Sequence, residues 1–177
     1  SDDVLQVDLA TLAVTPLVAP GAVGLSGPSD LAWSGSTLLV ASAGANAVVY
    51  FDASGAPTGT RAQGISAVLD GGIALSPDGQ RLLAVSAQGN SVVEHDAGSG
   101  LLVRSAHGAC AFLPFDLAYG PDGMVYVACF GDNGIGRVDP ATGSVLGPFV
   151  LGGSGGLANP RSLAFGPDGH LYVSSTT

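Results

Sequence analysis

Three carboxylates in this chain recur in step. Asp30 and Asp116 each open a short apolar motif, Asp30-Leu31-Ala32-Trp33 and Asp116-Leu117-Ala118-Tyr119. Asp70 stands two residues ahead of the matching Gly72-Ile73-Ala74-Leu75. Brought together by a fold, such side chains form an all-oxygen donor set for a hard cation such as Ca2+. The competing use is to accept hydrogen bonds from backbone N–H groups.

A second group lies within one stretch. Cys110 and Cys129 are the only cysteines. A paired disulfide, two buried thiols, or a soft-metal set with His107 are the alternatives. The remaining chemistry-bearing residues read as structural. His95 and His170 look like surface or edge residues. Asn46, Asn90 and Asn133 recur in phase at a hairpin, and Asn readily adopts left-handed turn conformations. Asp8, Asp52, Asp96 and Asp139 each precede a turn. Gly152-Gly153-Ser154-Gly155-Gly156 matches a G-x-S-x-G string, but that motif needs a strand-to-helix elbow, and here the string is a glycine-rich loop.

What must position these residues is a fourfold repeat. The apolar motif returns a fourth time as Ser162-Leu163-Ala164-Phe165, with 42, 44 and 46 positions between successive Leu31, Ile73, Leu117 and Leu163. In the third repeat, apolar runs at 115–119, 125–129, 135–138 and 144–150 are separated by Gly120-Pro121-Asp122-Gly123, Gly131-Asp132-Asn133-Gly134 and Asp139-Pro140-Ala141-Thr142-Gly143. Pro presets φ and Gly supplies positive φ, so these are tight turns, and the repeat predicts a four-stranded antiparallel meander.

Repeats of this length built from four strands predict radial blades. The fold class is all-β: a β-propeller with four blades per chain, in one domain spanning 1–177. The fourth blade is split between 157–177 and 1–19. Ser42 to Asn46, Ser86 to Asn90 and Cys129 to Asn133 each span four positions, and Ser175 round to Asp2 does the same. The N-terminal strands therefore complete the last blade in phase, within the chain or in a second chain to give an eight-bladed ring. A piece of a longer propeller fits the same pattern. Aromatics are only 6% of residues, which favours thin wedges between blades and hence the two-chain ring. In any of these rings Asp30, Asp70 and Asp116 lie near the central channel.

The segments 38–55, 82–100 and 125–143 resemble the NHL and YVTN repeats of secreted bacterial β-propellers, which share strand, Asn-bearing hairpin, strand, and Asp-x-x-Thr-Gly. Pro160 onward, with Gly166-Pro167-Asp168-Gly169 and Leu171-Tyr172-Val173-Ser174-Ser175, carries the same pattern. At fold level the resemblance reaches the SMP-30 and gluconolactonase group, which implies a channel metal held by Glu, Asn and Asp. Glu94, the sole Glu here, instead falls in a third strand. The streptogramin-lyase-like group relies on His and Glu, and no motif in this chain matches it.

Composition limits the partners. The net charge is −9, lysine is absent, and the five Arg are dispersed. A phosphate backbone needs a basic patch, so nucleic acid is not an expected partner. No run of about 18 apolar residues is present for a membrane-spanning helix. The expected function is a non-catalytic secreted scaffold, extracellular or periplasmic, that binds a protein or glycan and can form a homodimer. The alternative is a metal-dependent lactonase- or lyase-like enzyme with a channel cation.

Overall fold

The computed structural model describes residues 2–22, 24–63 and 71–176, with backbone alone at 60 and 61. The Asp70 position lies outside them. Three of the four predicted meanders form among the described residues, and the split fourth is present as two separate two-stranded sheets. The first complete blade is β3 (Pro28–Ser34), β4 (Thr37–Ser42), β5 (Ala47–Asp52) and β6 (Pro57–Ala62). The second is β7 (Ile73–Leu75), β8 (Arg81–Ser86), β9 (Ser91–Asp96) and β10 (Leu102–His107). The third is β11 (Pro114–Tyr119), β12 (Val125–Cys129), β13 (Gly134–Asp139) and β14 (Ser144–Val150). Two-stranded sheets flank them: β1 (Val4–Val7) with β2 (Val14–Val18), and β15 (Ser162–Phe165) with β16 (Leu171–Ser174).

The turns form for the reasons their residues give. At Gly120-Pro121-Asp122-Gly123 the Gly123 N–H donates to Gly120 O at 3.0 Å. The Asp122 carboxylate accepts from Met124 N–H at 3.1 Å and from the Tyr126 hydroxyl at 2.9 Å. Asp168 repeats both contacts with His170 N–H and the Tyr172 hydroxyl. Asn46, Asn90 and Asn133 sit at φ of 50°, 47° and 55°, the left-handed region where Asn is tolerated. Asp8, Asp52, Asp96 and Asp139 accept backbone N–H groups of the turn that follows them. Those hydrogen bonds favour the ionised form and hold all four carboxyls below the ordinary value.

The core lies between blades. In the three complete blades the second and third strands are buried along nearly their whole length, because each of those sheets is covered on both faces. Leu39, Ala41, Val48 and Tyr50 of the first blade meet Ile73, Leu82, Ala84 and Val93 of the second. Leu83, Val85 and Val92 meet Leu117, Val125 and Val127 of the third. Val4 and Val18 cap the first blade, and Leu163 caps the third. The stack therefore runs from half-blade through three full blades to half-blade.

β1–β2 corresponds to the outer half of a complete blade and β15–β16 to the inner half. Val4 pairs with Val18 and Leu5 with Pro16, with an irregularity between them. Ile135 with Val150 and Gly136 with Pro148 repeat that register and that irregularity. Asp2 Oδ1 accepts the Gly27 N–H at 3.1 Å, as Asn133 Oδ1 accepts the Asn159 N–H at 2.8 Å. Gly27 and Asn159 each lie four residues before the inner-strand leucine, so Asp2 occupies the hairpin-Asn position that the phase predicts. Within the chain, however, β1 pairs with β2 and β15 with β16, and no ladder joins the two sheets among the described residues.

Candidate functional site

The inner strands β3, β7, β11 and β15 lie side by side at the convergent edge of the blades. Asp30 and Asp116 are both there, and both bridge blades. Asp30 Oδ1 accepts its own neighbour's N–H, from Leu31, at 2.8 Å, while Oδ2 reaches the Ile73 N–H in the next blade at 2.7 Å. Asp116 Oδ1 accepts from Leu117 N–H at 2.8 Å. Its Oδ2 accepts from Leu163 N–H at 3.0 Å and from the Ser162 hydroxyl at 2.8 Å. Backbone groups that would otherwise be orphaned at the start of an inner strand are satisfied by the preceding blade.

Gly72 holds the corresponding position in the second blade and brings no carboxylate. Its N–H donates to Phe115 O at 2.9 Å, and a Cβ placed on it would overlap Asp116 Oδ1. The glycine is therefore space for the neighbouring carboxylate.

These residues line one cleft of about 180 Å³, formed by Ser29, Asp30, Gly72, Asp116, Arg161 and Ser162 with Gly71 and Phe115. The Arg161 guanidinium lies 5.0 Å from the Phe115 and Phe130 ring centres, a cation–π position over both. Burial pushes the Asp116 carboxyl above its ordinary value; its hydrogen bonds oppose that, and the Asp30 charge adds to it. The cleft thus offers carboxylate acceptors, hydroxyls and one guanidinium.

The cysteines form a disulfide, Cys110–Cys129, with Cα atoms 5.3 Å apart. Both sulfurs are consumed, so the soft-metal alternative with His107 is overturned. Asp132 is the third group near that pair, and its carboxylate accepts from Ala111 and Phe112 N–H. His107 instead places Nε2 3.3 Å from the Ser105 hydroxyl. The disulfide occupies a recurrent tie point. At the equivalent strand ends, Ser42 exchanges hydrogen bonds with Ser26, and Ser175 with Ala158. Cys129 holds that place in the third blade.

His170 is exposed beside Asp168, as its position predicts. His95 is not a surface residue: it is fully buried, facing the first blade from the position that Phe51 fills one repeat earlier. Its Nε2–H donates to Gln63 O at 2.9 Å, Nδ1 finds no partner among the described residues, and burial pushes its pKa down. Glu94 is also buried, 2.8 Å from Arg104 Nε and 3.4 Å from Arg81 Nε. Cross-strand register was the available signal, because Arg104 stands opposite Glu94 on β10. Gly152–Gly156 forms a short 3-10 turn at Ser154–Gly156 between β14 and β15, not an elbow into a helix.

No protein-family model matches the chain, and no curated protein matches it. Solved structures do. A catalytically inactive virginiamycin B lyase from Staphylococcus aureus with quinupristin superposes with a TM-score of 0.77 at 17% identity, over 98% of this chain and 56% of that one. The selenomethionine-substituted form of that lyase gives 0.65 at 19%, over 85% and 49%. Kuenenia stuttgartiensis hydrazine synthase gives 0.73 at 23%, over 88% and 44%. The chain spans about half the length of these structures. At these identities the likeness establishes the fold, and the chain is built of β-propeller blades.

Proposed function

We propose that this chain is a secreted propeller scaffold of the NHL or YVTN repeat type, a non-catalytic module that binds a glycan at the inner-strand cleft in an extracellular or periplasmic setting. The observation that carries this reading is the composition of the cleft. Sugars donate and accept hydrogen bonds with equal ease. The cleft supplies acceptors at Asp30 and Asp116, hydroxyls at Ser29 and Ser162, and a donor at Arg161. A net charge of −9 disfavours polyanionic partners. The disulfide suits an oxidising compartment, and no helix is long and apolar enough to cross a membrane among the described residues.

Calorimetric titration against a panel of neutral oligosaccharides tests it. Saturable binding is expected, weakened about tenfold, the equivalent of about 1.4 kcal/mol, by Arg161→Ala with unchanged melting. No binding across the panel overturns it.

A second reading, the metal-dependent lactonase- or lyase-like enzyme, draws on one feature. Asp30 and Asp116 share the cleft, and the Asp30 charge works against ionisation of Asp116. A Ca2+ ion would relieve that repulsion. A rise in melting temperature with Ca2+, reversed by chelator and absent in Asp30→Asn, together with lactone turnover, would establish this reading and displace the first.

A further inference from the structure

A cavity of about 550 Å³ opens beside the disulfide, where the second and third blades meet. Both of those blades are complete. Five of the lining residues are glycines and two are alanines, so backbone forms much of the wall. The room has a cause in the sequence. Ser42 opposite Ala47 and Cys129 opposite Gly134 align two hairpins, which puts Val49 of the first blade at the position of Gly136. Leu25 precedes the Ser26 tie as Ala109 precedes Cys110. Leu25 and Val49 are buried together in one apolar cluster. Ala109 and Gly136 replace that pair, so most of two side chains is missing between the second and third blades. The Ala109 carbonyl takes up part of the space, and a Cβ on Gly136 would overlap it. The remainder is bounded by Gly147 and Pro148.

Among the described residues only Asn90 and Asp132 bring polar side chains to this cavity, and both present acceptors. Asn90 Nδ2 donates to Cys110 O at 3.1 Å and to Ala111 O at 2.8 Å. Two carbonyls on that side require the NH2 group there. The Oδ1 atom is therefore turned away from them, and it is buried with no hydrogen-bond partner among the described residues. A buried acceptor left unpaired is costly. The ties from Asp2 and Asn133 work the other way: their Oδ1 atoms accept the Gly27 and Asn159 N–H groups of the following loop. Asn90 is reversed because the loop pinned by Cys110–Cys129 turns carbonyls toward it. Asp132 uses Oδ2 to accept the Ala111 and Phe112 N–H groups, and its carboxylate lies within 4.8 Å of both sulfurs. That leaves Oδ1 as a second acceptor. No cationic side chain lines the cavity among the described residues.

We propose that this cavity binds a small aromatic amine, its ammonium paired with the Asp132 carboxylate and a ring N–H or O–H donated to Asn90 Oδ1. The Asn90 NH2 group is already engaged, so both side chains act only as acceptors and the ligand supplies the donors. Asp132 is the charged acceptor, so the ammonium belongs there. The rest of the wall is apolar: Pro148, the disulfide and the flat peptide planes of the glycines. A ring lies against such a surface without displacing hydrogen bonds. The volume is that of a small-ligand pocket. A net charge of −9 attracts a cation and repels an acid. The cavity shares no residue with the inner-strand cleft, and its ligand is independent of what that cleft binds.

Calorimetric titration with tryptamine provides the test, with indole-3-acetate as the anionic counterpart of the same ring. Saturable binding of tryptamine at a single site is expected, and none of indole-3-acetate. Asp132→Asn keeps the shape and removes the charge, and it should weaken tryptamine binding about tenfold or more. Ala111→Trp is the second variant. Ala111 is exposed at the cavity wall, so a bulky ring there covers the opening without entering the core. It should abolish tryptamine binding with unchanged melting and unchanged oligosaccharide binding. Arg161→Ala should bind tryptamine as the parent does, which separates this site from the cleft. Absence of saturable tryptamine binding overturns the proposal. Equal binding of indole-3-acetate, or parental affinity in Ala111→Trp, does the same. Weaker tryptamine binding in Arg161→Ala would move the amine to the inner-strand cleft and likewise overturn it.

Discussion

Asp116 and Leu163 lie 47 positions apart, yet the Asp116 Oδ2 atom accepts the Leu163 N–H at 3.0 Å across a blade boundary. Asp30 does the same for Ile73, 43 positions on, at 2.7 Å. One carboxylate thus satisfies its own strand and the start of the next. The arrangement ties neighbouring blades at the edge where the inner strands of consecutive blades meet.

Asp116→Asn keeps the shape and replaces an acceptor with an amide donor facing N–H or O–H groups. A loss of about 1–3 kcal/mol is expected in urea unfolding with an unchanged slope. Gly72→Ala should cost a similar amount through overlap with Asp116 Oδ1. Because the two share one contact, the double variant Gly72→Ala/Asp116→Ser should lose less than the two single losses combined. Simple additivity would show that the carboxylate and the glycine do not interact.

Reducing Cys110–Cys129 releases a loop with a sequence separation of 19. Chain entropy alone predicts a loss of about 3 kcal/mol. Cys129→Ser is expected to recover part of it, since Ser fills the same tie point as Ser42 and Ser175. Equal melting of oxidised and reduced protein would contradict a structural role for the bond.

Glu94 is buried, and its charge is balanced by Arg104 and Arg81. Removing Arg104 leaves the longer Arg81 contact. Both arginines are partly exposed, so the loss should fall below that of a fully buried pair, at about 2 kcal/mol. Glu94→Gln in the Arg104→Ala background should restore much of it. If Arg104→Ala melts like the parent, the ion pair adds nothing to folding.

His95 gives a pH signature. Its folded pKa is lowered, with burial the leading cause, from an ordinary value of 6.5. A base with a depressed folded pKa favours folding while neutral. Its contribution is complete above pH 6.5 and declines as the pH falls below it. The turn carboxylates Asp52, Asp96 and Asp139 have depressed values too, and their contribution is lost only below about pH 4. The two windows are separable. His95→Phe, matching Phe51, should flatten the decline in stability that begins as the pH falls below 6.5 and leave the acid limb of the carboxylates intact. An unaltered profile in that window would rule out His95 as its source.

The blade was legible because its information is local. Pro, Gly, Asn and Asp at fixed offsets dictate the turns, and alternating apolar residues dictate the strands between them. Asp2 takes the hydrogen-bonding role of Asn133, which marks the N-terminal strands as the outer half of a blade. Asp30 and Asp116 could be assigned to the inner strands from sequence, but cation ligation and backbone acceptance both remained open. Only the packing of one blade on the next supplied the Ile73, Ser162 and Leu163 partners. His95 reads as a surface residue because a polar ring replaces the apolar Phe51 and Val138 of the other repeats; the neighbouring blade buries it. Glu94 joined two arginines through cross-strand register, which a linear string does not display. Sequence alone fixed the blade and its repeat, since both arise from contacts within about 45 residues. The inter-blade ties were decided by tertiary structure, because they depend on how one sheet meets another.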